Sequence, residues 1–133
     1  MKDNVLIDTS VWIAYLRRGA SENVAEAVDS LLTRCEILVP KLVLAELIQG
    51  ARSEKEIAVI QEFLEAFHVV GEGKNTWIEA GKLSFFLRKK GKNIGLADCY
   101  IAVIAKESGC PLLTLDKHFG EMQREAGLTL IPL

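Results

Sequence analysis

The strongest constraint on how this chain folds is its series of short, almost wholly apolar runs separated by longer stretches of helical periodicity. Val5-Leu6-Ile7, Ile37-Leu38-Val39 and Leu112-Leu113-Thr114-Leu115 are too short for helices. They also lack the in–out alternation of a strand with one wet face, so they read as strands covered on both sides. Together with 67–70 and 128–131 they give five predicted strands, the first spanning 2–7. Between them the apolar spacing predicts helices over 11–18, 22–34, 41–49, 53–66, 75–90, 96–108 and 116–126. Ser21 reads as an N-cap, and Ser53 with Glu56 as a capping box. Gly50 and Gly109 read as helix closures. Strands alternating with helices predict an α/β fold, a parallel sheet with helices on both faces.

The length, 133 residues, suits one hydrophobic core, so a single domain over 1–133 is expected. There is no repeat, low-complexity tract or linker. Every apolar run is broken well short of a membrane span, and the N-terminus has no signal-peptide pattern, so a cytoplasmic protein is expected. The three cysteines are odd in number and none are in C-x-x-C spacing, which argues against a disulfide framework or a thiolate zinc site. Cys99 and Cys110 read as core residues. The net charge of −2 does not advertise nucleic-acid binding; any attraction to a polyanion must be local or supplied by a cation.

Four acids stand out by position. Asp8 ends the first strand and Asp116 follows the fourth, each just before a helix. Ligands of open α/β sheets bind at such carboxyl ends, although aspartate is also an ordinary N-cap there. Glu46 lies among Leu42, Val43, Leu44, Ala45, Leu47 and Ile48, in a helix apolar almost all round. A carboxylate buried there needs a partner, and no basic residue sits one turn away. Asp98 opens a helix whose next residues, Cys99 to Ala105, are core-like; the helix dipole alone offers it a structural role. Grouped carboxylates repel one another. A fold that gathers them does so most usefully around a hard divalent cation such as Mg²⁺ or Mn²⁺. The chemistry that follows is phosphodiester hydrolysis.

The segments Val5-Leu6-Ile7-Asp8-Thr9-Ser10, Glu46-Leu47-Ile48-Gln49-Gly50-Ala51-Arg52, Leu96-Ala97-Asp98-Cys99-Tyr100-Ile101-Ala102 and Leu113-Thr114-Leu115-Asp116-Lys117-His118-Phe119 together resemble the PIN-domain nucleases, and more narrowly the VapC-type toxins. They occur in family order across nearly the whole chain. The resemblance implies a three-layer α/β/α fold with a five-stranded parallel sheet of order 3-2-1-4-5. It implies an Mg²⁺- or Mn²⁺-dependent ribonuclease, RNA as substrate, homodimers and a small antitoxin partner. By the same likeness Asp8 and Asp98 would be direct metal ligands. Glu46 and Asp116 would bind a second metal or orient water. Thr9, Ser10 and Thr114 would hydrogen-bond these acids.

Other residues read more plainly. The basic run Arg88 to Lys92 reads as a solvated helix end, with RNA phosphates as the alternative, and Arg17-Arg18 likewise. His68 and His118 read as surface histidines, neither at metal-ligand spacing; for His118, close to Asp116, contact with substrate is the alternative. Trp12, Trp77, Phe85 and Phe86 read as core or dimer contacts. Competing functions are a PIN-type ribonuclease in RNA maturation without an antitoxin, a phosphate-accepting regulatory domain, and a non-catalytic RNA-binding module. The second of these would need paired acids after the first strand, where Asp8 stands alone.

Overall fold

The computed structural model describes residues 3–17 and 21–133. The expected start of the first strand at Lys2, and the end of the first helix at Arg18-Gly19-Ala20, lie outside the described residues. The elements run β1 (Asn4–Ile7), α1 (Thr9–Leu16), α2 (Glu22–Arg34), β2 (Glu36–Pro40), α3 (Lys41–Gln49), α4 (Glu54–Glu65) and β3 (His68–Val70). They continue through α5 (Thr76–Lys89), α6 (Leu96–Ser108), β4 (Leu112–Leu113), α7 (Lys117–Glu121) and α8 (Gln123–Ala126). Local chemistry sets many of the boundaries. The Ser21 and Ser53 hydroxyls accept from Val24 N and Glu56 N at 3.3 and 3.1 Å, capping α2 and α4. Gly109 ends α6 at φ 63°, a conformation that favours glycine.

The strands pair in parallel in the order β3-β2-β1-β4. Val5, Leu6, Ile7, Ile37, Val39, Leu112 and Leu113 are almost wholly buried, as strands covered on both faces must be. Edge strand β3 is drier on paper than in space: Val69 and Val70 are half-buried, and His68 is exposed and paired with Glu36. The crossovers from β1 to β2 and from β2 to β3 step in one direction, and that from β3 to β4 steps back past β1. Right-handed crossovers therefore put α1 to α4 on one face and α5 and α6 on the other. The helix contacts divide the same way: α1 packs on α2 and α3 and α3 on α4, while α5 packs on α6 and α8.

The expected fifth strand is not formed. Residues 128–131 reach the outer edge of β4 only as an isolated parallel bridge, Leu112 to Leu130. The reason is the length of β4. Alternate residues of a strand direct their backbone groups to opposite edges. Pro111 O and Leu113 O accept from Leu6 N and Asp8 N on the β1 side, which leaves Leu112 alone to face outward. It donates to Thr129 O and accepts from Ile131 N, both at 2.9 Å. The expected final helix is also divided, at Met122, whose backbone leaves helical geometry (φ −104°, ψ 4°) while its side chain is wholly buried. Gly120, a weak helix former, lies just before the break.

The C-terminal helices are held to the body by charge. Lys92 Nζ lies 2.9 Å from Glu125 Oε1 and donates to Glu121 O at 2.8 Å; Lys90 Nζ is 3.7 Å from the same carboxylate. Two members of the basic run are thus braces for α8, as the solvated-end reading required only in part. Lys92 lowers the Glu125 carboxyl below its ordinary range. A depressed carboxyl stabilises the fold above its unfolded-state pKa and loses that contribution as pH falls through its folded-state pKa. Glu125→Gln is therefore expected to lower the Tm by a few degrees at neutral pH, with the gap to wild type closing in the acid range. Thermal melts at stepped pH measure it; a gap that is constant with pH would remove the ion pair as its cause.

Candidate active site

β1 and β4 lie side by side, Leu6 opposite Leu112 and Ile7 opposite Leu113, at the point where the strand order reverses. Their carboxyl ends release Asp8 and Asp116 into one crevice, the position where open α/β sheets take ligands. Asp8 is only 3% exposed. Ser10 Oγ donates to its Oδ1 at 2.6 Å and Thr114 Oγ1 to its Oδ2 at 2.8 Å. Each hydroxyl is fixed from behind by a backbone donor, Leu115 N for Ser10 and Asp116 N for Thr114, both at 2.9 Å. Four residues on two distant chain segments thus lock one carboxylate in place.

Asp8 also caps α1, accepting from Val11 N at 3.4 Å, and Asp116 caps α7, accepting from His118 N at 2.9 Å. The capping reading and the site reading of both aspartates are therefore true together. Glu46 joins through the neighbouring hydroxyl: Thr9 Oγ1 donates to its Oε1 at 2.8 Å. Its helix is wetter than the sequence suggests. Val43 and Leu47 are buried, but Glu46 is half-buried and Ala45 exposed. Asp98, half-buried in the first turn of α6, reaches Asp116 through a histidine: His118 Nδ1 lies 3.0 Å from Asp98 Oδ2 and 3.6 Å from Asp116 Oδ1.

Burial pushes the Asp8 carboxyl above its ordinary pKa. The hydrogen bonds from Ser10, Thr114 and Val11 N oppose that shift, and the charge of Asp116 adds to it. The hydrogen bond to Asp98, and then the charge of Asp116, raise the His118 imidazole. Among the described residues no lysine or arginine lies within ion-pair distance of Asp8, Glu46, Asp98 or Asp116. Arg17 is occupied elsewhere, donating to Gly50 O at 2.6 Å. Arg88 and Lys89 lie over the Phe85 ring. An oxygen-rich cluster met by one histidine and, among the described residues, by no lysine or arginine suits a hard divalent cation. Asp98, Asp116 and His118 each offer one ligand atom, all within 4.8 Å of one another.

Asp8, Asp98 and Asp116 are thus linked, with Ser10, Thr114 and His118, by hydrogen bonds and charge, whereas Glu46 pairs with Thr9, the chain neighbour of Asp8, and neither Asp8 nor Glu46 is among the three residues whose ligand atoms converge. His118 is the correction: it faces the acids rather than standing apart on the surface. Its signal was its place two residues beyond a strand-end aspartate. The Asp116 cap holds the backbone of residue 118 against that carboxylate. His68 is on the surface as expected, and Cys99 and Cys110 are buried and free.

Comparison with known proteins agrees with this layout. The family model described as the PIN domain matches residues 5–125. Ribonuclease VapC1 of Methanocaldococcus jannaschii is 30% identical over 129 residues, covering 97% of this chain and 88% of that protein. Among solved structures, VapBC-1 from nontypeable Haemophilus influenzae superposes with a TM-score of 0.76 at 28% identity, covering 96% of each chain. DNA-bound VapBC from Salmonella typhimurium superposes with a TM-score of 0.76 at 25% identity, covering 98% of each.

Proposed function

The chain belongs to the PIN-domain family, and from that premise we propose that it is a metal-dependent endoribonuclease, a single domain over 1–133 and the toxin of a VapBC-type toxin–antitoxin pair. One observation carries the reading. Asp8 is an almost wholly buried carboxylate, oriented by two hydroxyls, beside Asp116, and met by no basic side chain among the described residues. Burying like charges together is costly unless something positive occupies the space between them.

Asp8, Asp98 and Asp116 would hold Mg²⁺ or Mn²⁺. When bound, the ion supplies Lewis-acid chemistry, setting positive charge against the phosphoryl oxygens and making a water more acidic. Ser10 and Thr114 fix both oxygens of Asp8 in place. Glu46, steadied by Thr9, orients the attacking water and takes its proton. The water oxygen joins phosphorus, the bond from phosphorus to the leaving ribose oxygen breaks, and that oxygen takes a proton from solvent to depart as a hydroxyl. Leu96 and Leu115, both about half exposed, flank Asp98 and Asp116 and leave an open apolar rim against which an RNA strand can lie.

The partner is a small cognate antitoxin, as in the VapBC structures this chain resembles. A groove of about 410 Å³ between α1 and α4 supports this, with Ile13, Leu16 and Val59 exposed along it. Trp77, Ile78, Phe85 and Phe86 on α5 form a second exposed apolar face, which we assign to a second copy in a homodimer. No helix among the described residues is long and apolar enough to cross a membrane, in keeping with a cytoplasmic toxin.

The test is cleavage of RNA with and without a chelator. Mg²⁺ or Mn²⁺ is expected to support cleavage, excess EDTA to stop it, and re-added metal to restore it. Cleavage persisting undiminished in EDTA would remove the metal from the proposal.

A further inference from the structure

We propose that His118 is a direct ligand of the metal and gives the site a preference for Mn²⁺ over Mg²⁺. The inference rests on the metal-dependent reading above, and concerns the one nitrogen donor in an otherwise oxygen site.

The imidazole is placed as a ligand would be. Its Nδ1, not its Nε2, faces the acids, 3.0 Å from Asp98 Oδ2 and 3.6 Å from Asp116 Oδ1. Neighbouring ligands about 2.1–2.2 Å from one ion in the octahedral geometry of Mg²⁺ or Mn²⁺ are separated by about 3.0 Å. The Asp98 separation falls at that value, and the Asp116 separation, 3.6 Å, is somewhat wider. A cation between these atoms would replace the proton that Nδ1 now shares with Asp98, with little movement of any side chain.

The position is enforced by the backbone. Asp116 accepts from His118 N at 2.9 Å, so the residue that caps α7 also anchors the histidine beside it. Phe119, the next residue, is wholly buried and holds the first turn of α7 in the core. A surface ion pair alone would contribute little to stability, the His118 side chain being 41% exposed. Ligand chemistry then sets the preference. Mg²⁺ takes oxygen donors and sheds its waters reluctantly; imidazole suits the later ions Fe, Ni, Cu and Zn best, and Mn²⁺, which also favours oxygen, accepts a nitrogen donor more readily than Mg²⁺ does. Removing one nitrogen should weaken Mn²⁺ more than Mg²⁺.

Mn²⁺ itself is the probe. Pulsed electron paramagnetic resonance of Mn²⁺ on the wild-type protein is expected to show coupling to an imidazole ¹⁴N, absent in His118→Ala. Calorimetric titration is expected to show Mn²⁺ affinity falling about tenfold in that variant, with Mg²⁺ affinity changing less than about threefold. A thermal melt matching wild type establishes that the variant is folded, and His118→Asn repeats the comparison with a polar side chain. Mn²⁺ bound to wild type without nitrogen coupling, coupling that survives in His118→Ala, or equal weakening of both ions would overturn the assignment while leaving the acidic site intact. The underlying reading fails separately, if Asp98→Asn leaves Mn²⁺ affinity unmoved.

Discussion

Asp8→Asn is expected to reduce RNA cleavage by at least about a thousandfold while leaving the Tm at or above that of wild type. The substitution is nearly isosteric. The asparagine Oδ1 can still accept from Ser10 Oγ and from Val11 N, so the cap of α1 survives. Asparagine is as good an N-cap as aspartate. What disappears is a negative charge at a site only 3% exposed, together with the Oδ2 acceptor of Thr114 Oγ1, where the amide can instead donate to that hydroxyl. The burial that raises this carboxyl's pKa also makes its ionised form costly to fold, and Asp116 adds repulsion. A neutral amide removes both costs, so function is lost where stability is kept or gained. Calorimetry in EDTA beside a cleavage assay measures the two effects. Activity within tenfold of wild type would take Asp8 out of the mechanism; a collapsed Tm would show that the charge serves the fold.

The parts of this design that were readable in sequence are those set by local pattern. Helices α2, α3 and α6 were expected over 22–34, 41–49 and 96–108 and occupy those residues, because a capping serine, a proline and a left-handed glycine mark their ends. Asp8 and Asp116 were legible from their places at strand ends, where they also cap helices, and Glu46 and Asp98 from their apolar neighbours. Context from the far side of the fold was not legible. The fifth strand failed because β4 spends one edge on β1 and has a single residue left for the other. No periodicity in 128–131 could report that. His118 looked bland because its partners, Asp98 and Asp116, come together only through the contact of α6 with α7. Glu46 was expected to need a hydrogen-bond partner, a counter-charge or a metal, and received a threonine hydroxyl from 37 positions away, which its own helix could not reveal.

Trp12→Ala is expected to cost about 3–5 kcal/mol, enough to lower the Tm of a domain this size by roughly 10–20 °C. The indole is fully buried and lies at the centre of an aromatic cluster. Its ring centroid is 6.2 Å from that of Tyr15, 5.8 Å from Phe63 and 6.0 Å from Phe67, which ties α1 to α4 and to the entry of β3. Truncation leaves a cavity bounded by rings that are themselves packed edge to face, Phe63 on Phe67 at 5.4 Å, and so are poorly able to close it. Trp12→Phe is expected to cost less than about 1.5 kcal/mol, because the Trp12 Nε1–H has no hydrogen-bond partner among the described residues and its loss relieves a buried, unsatisfied donor. The pair of variants separates packing from polarity: chemical denaturation should place alanine far below phenylalanine. Equal costs would mean that the cluster collapses around the gap. The consequence reaches the crevice, since α1 begins at Thr9 and carries Thr9 and Ser10 toward Glu46 and Asp8. A helix loosened at Trp12 would let those hydroxyls drift, so Trp12→Ala should also lose cleavage at temperatures where it is still folded.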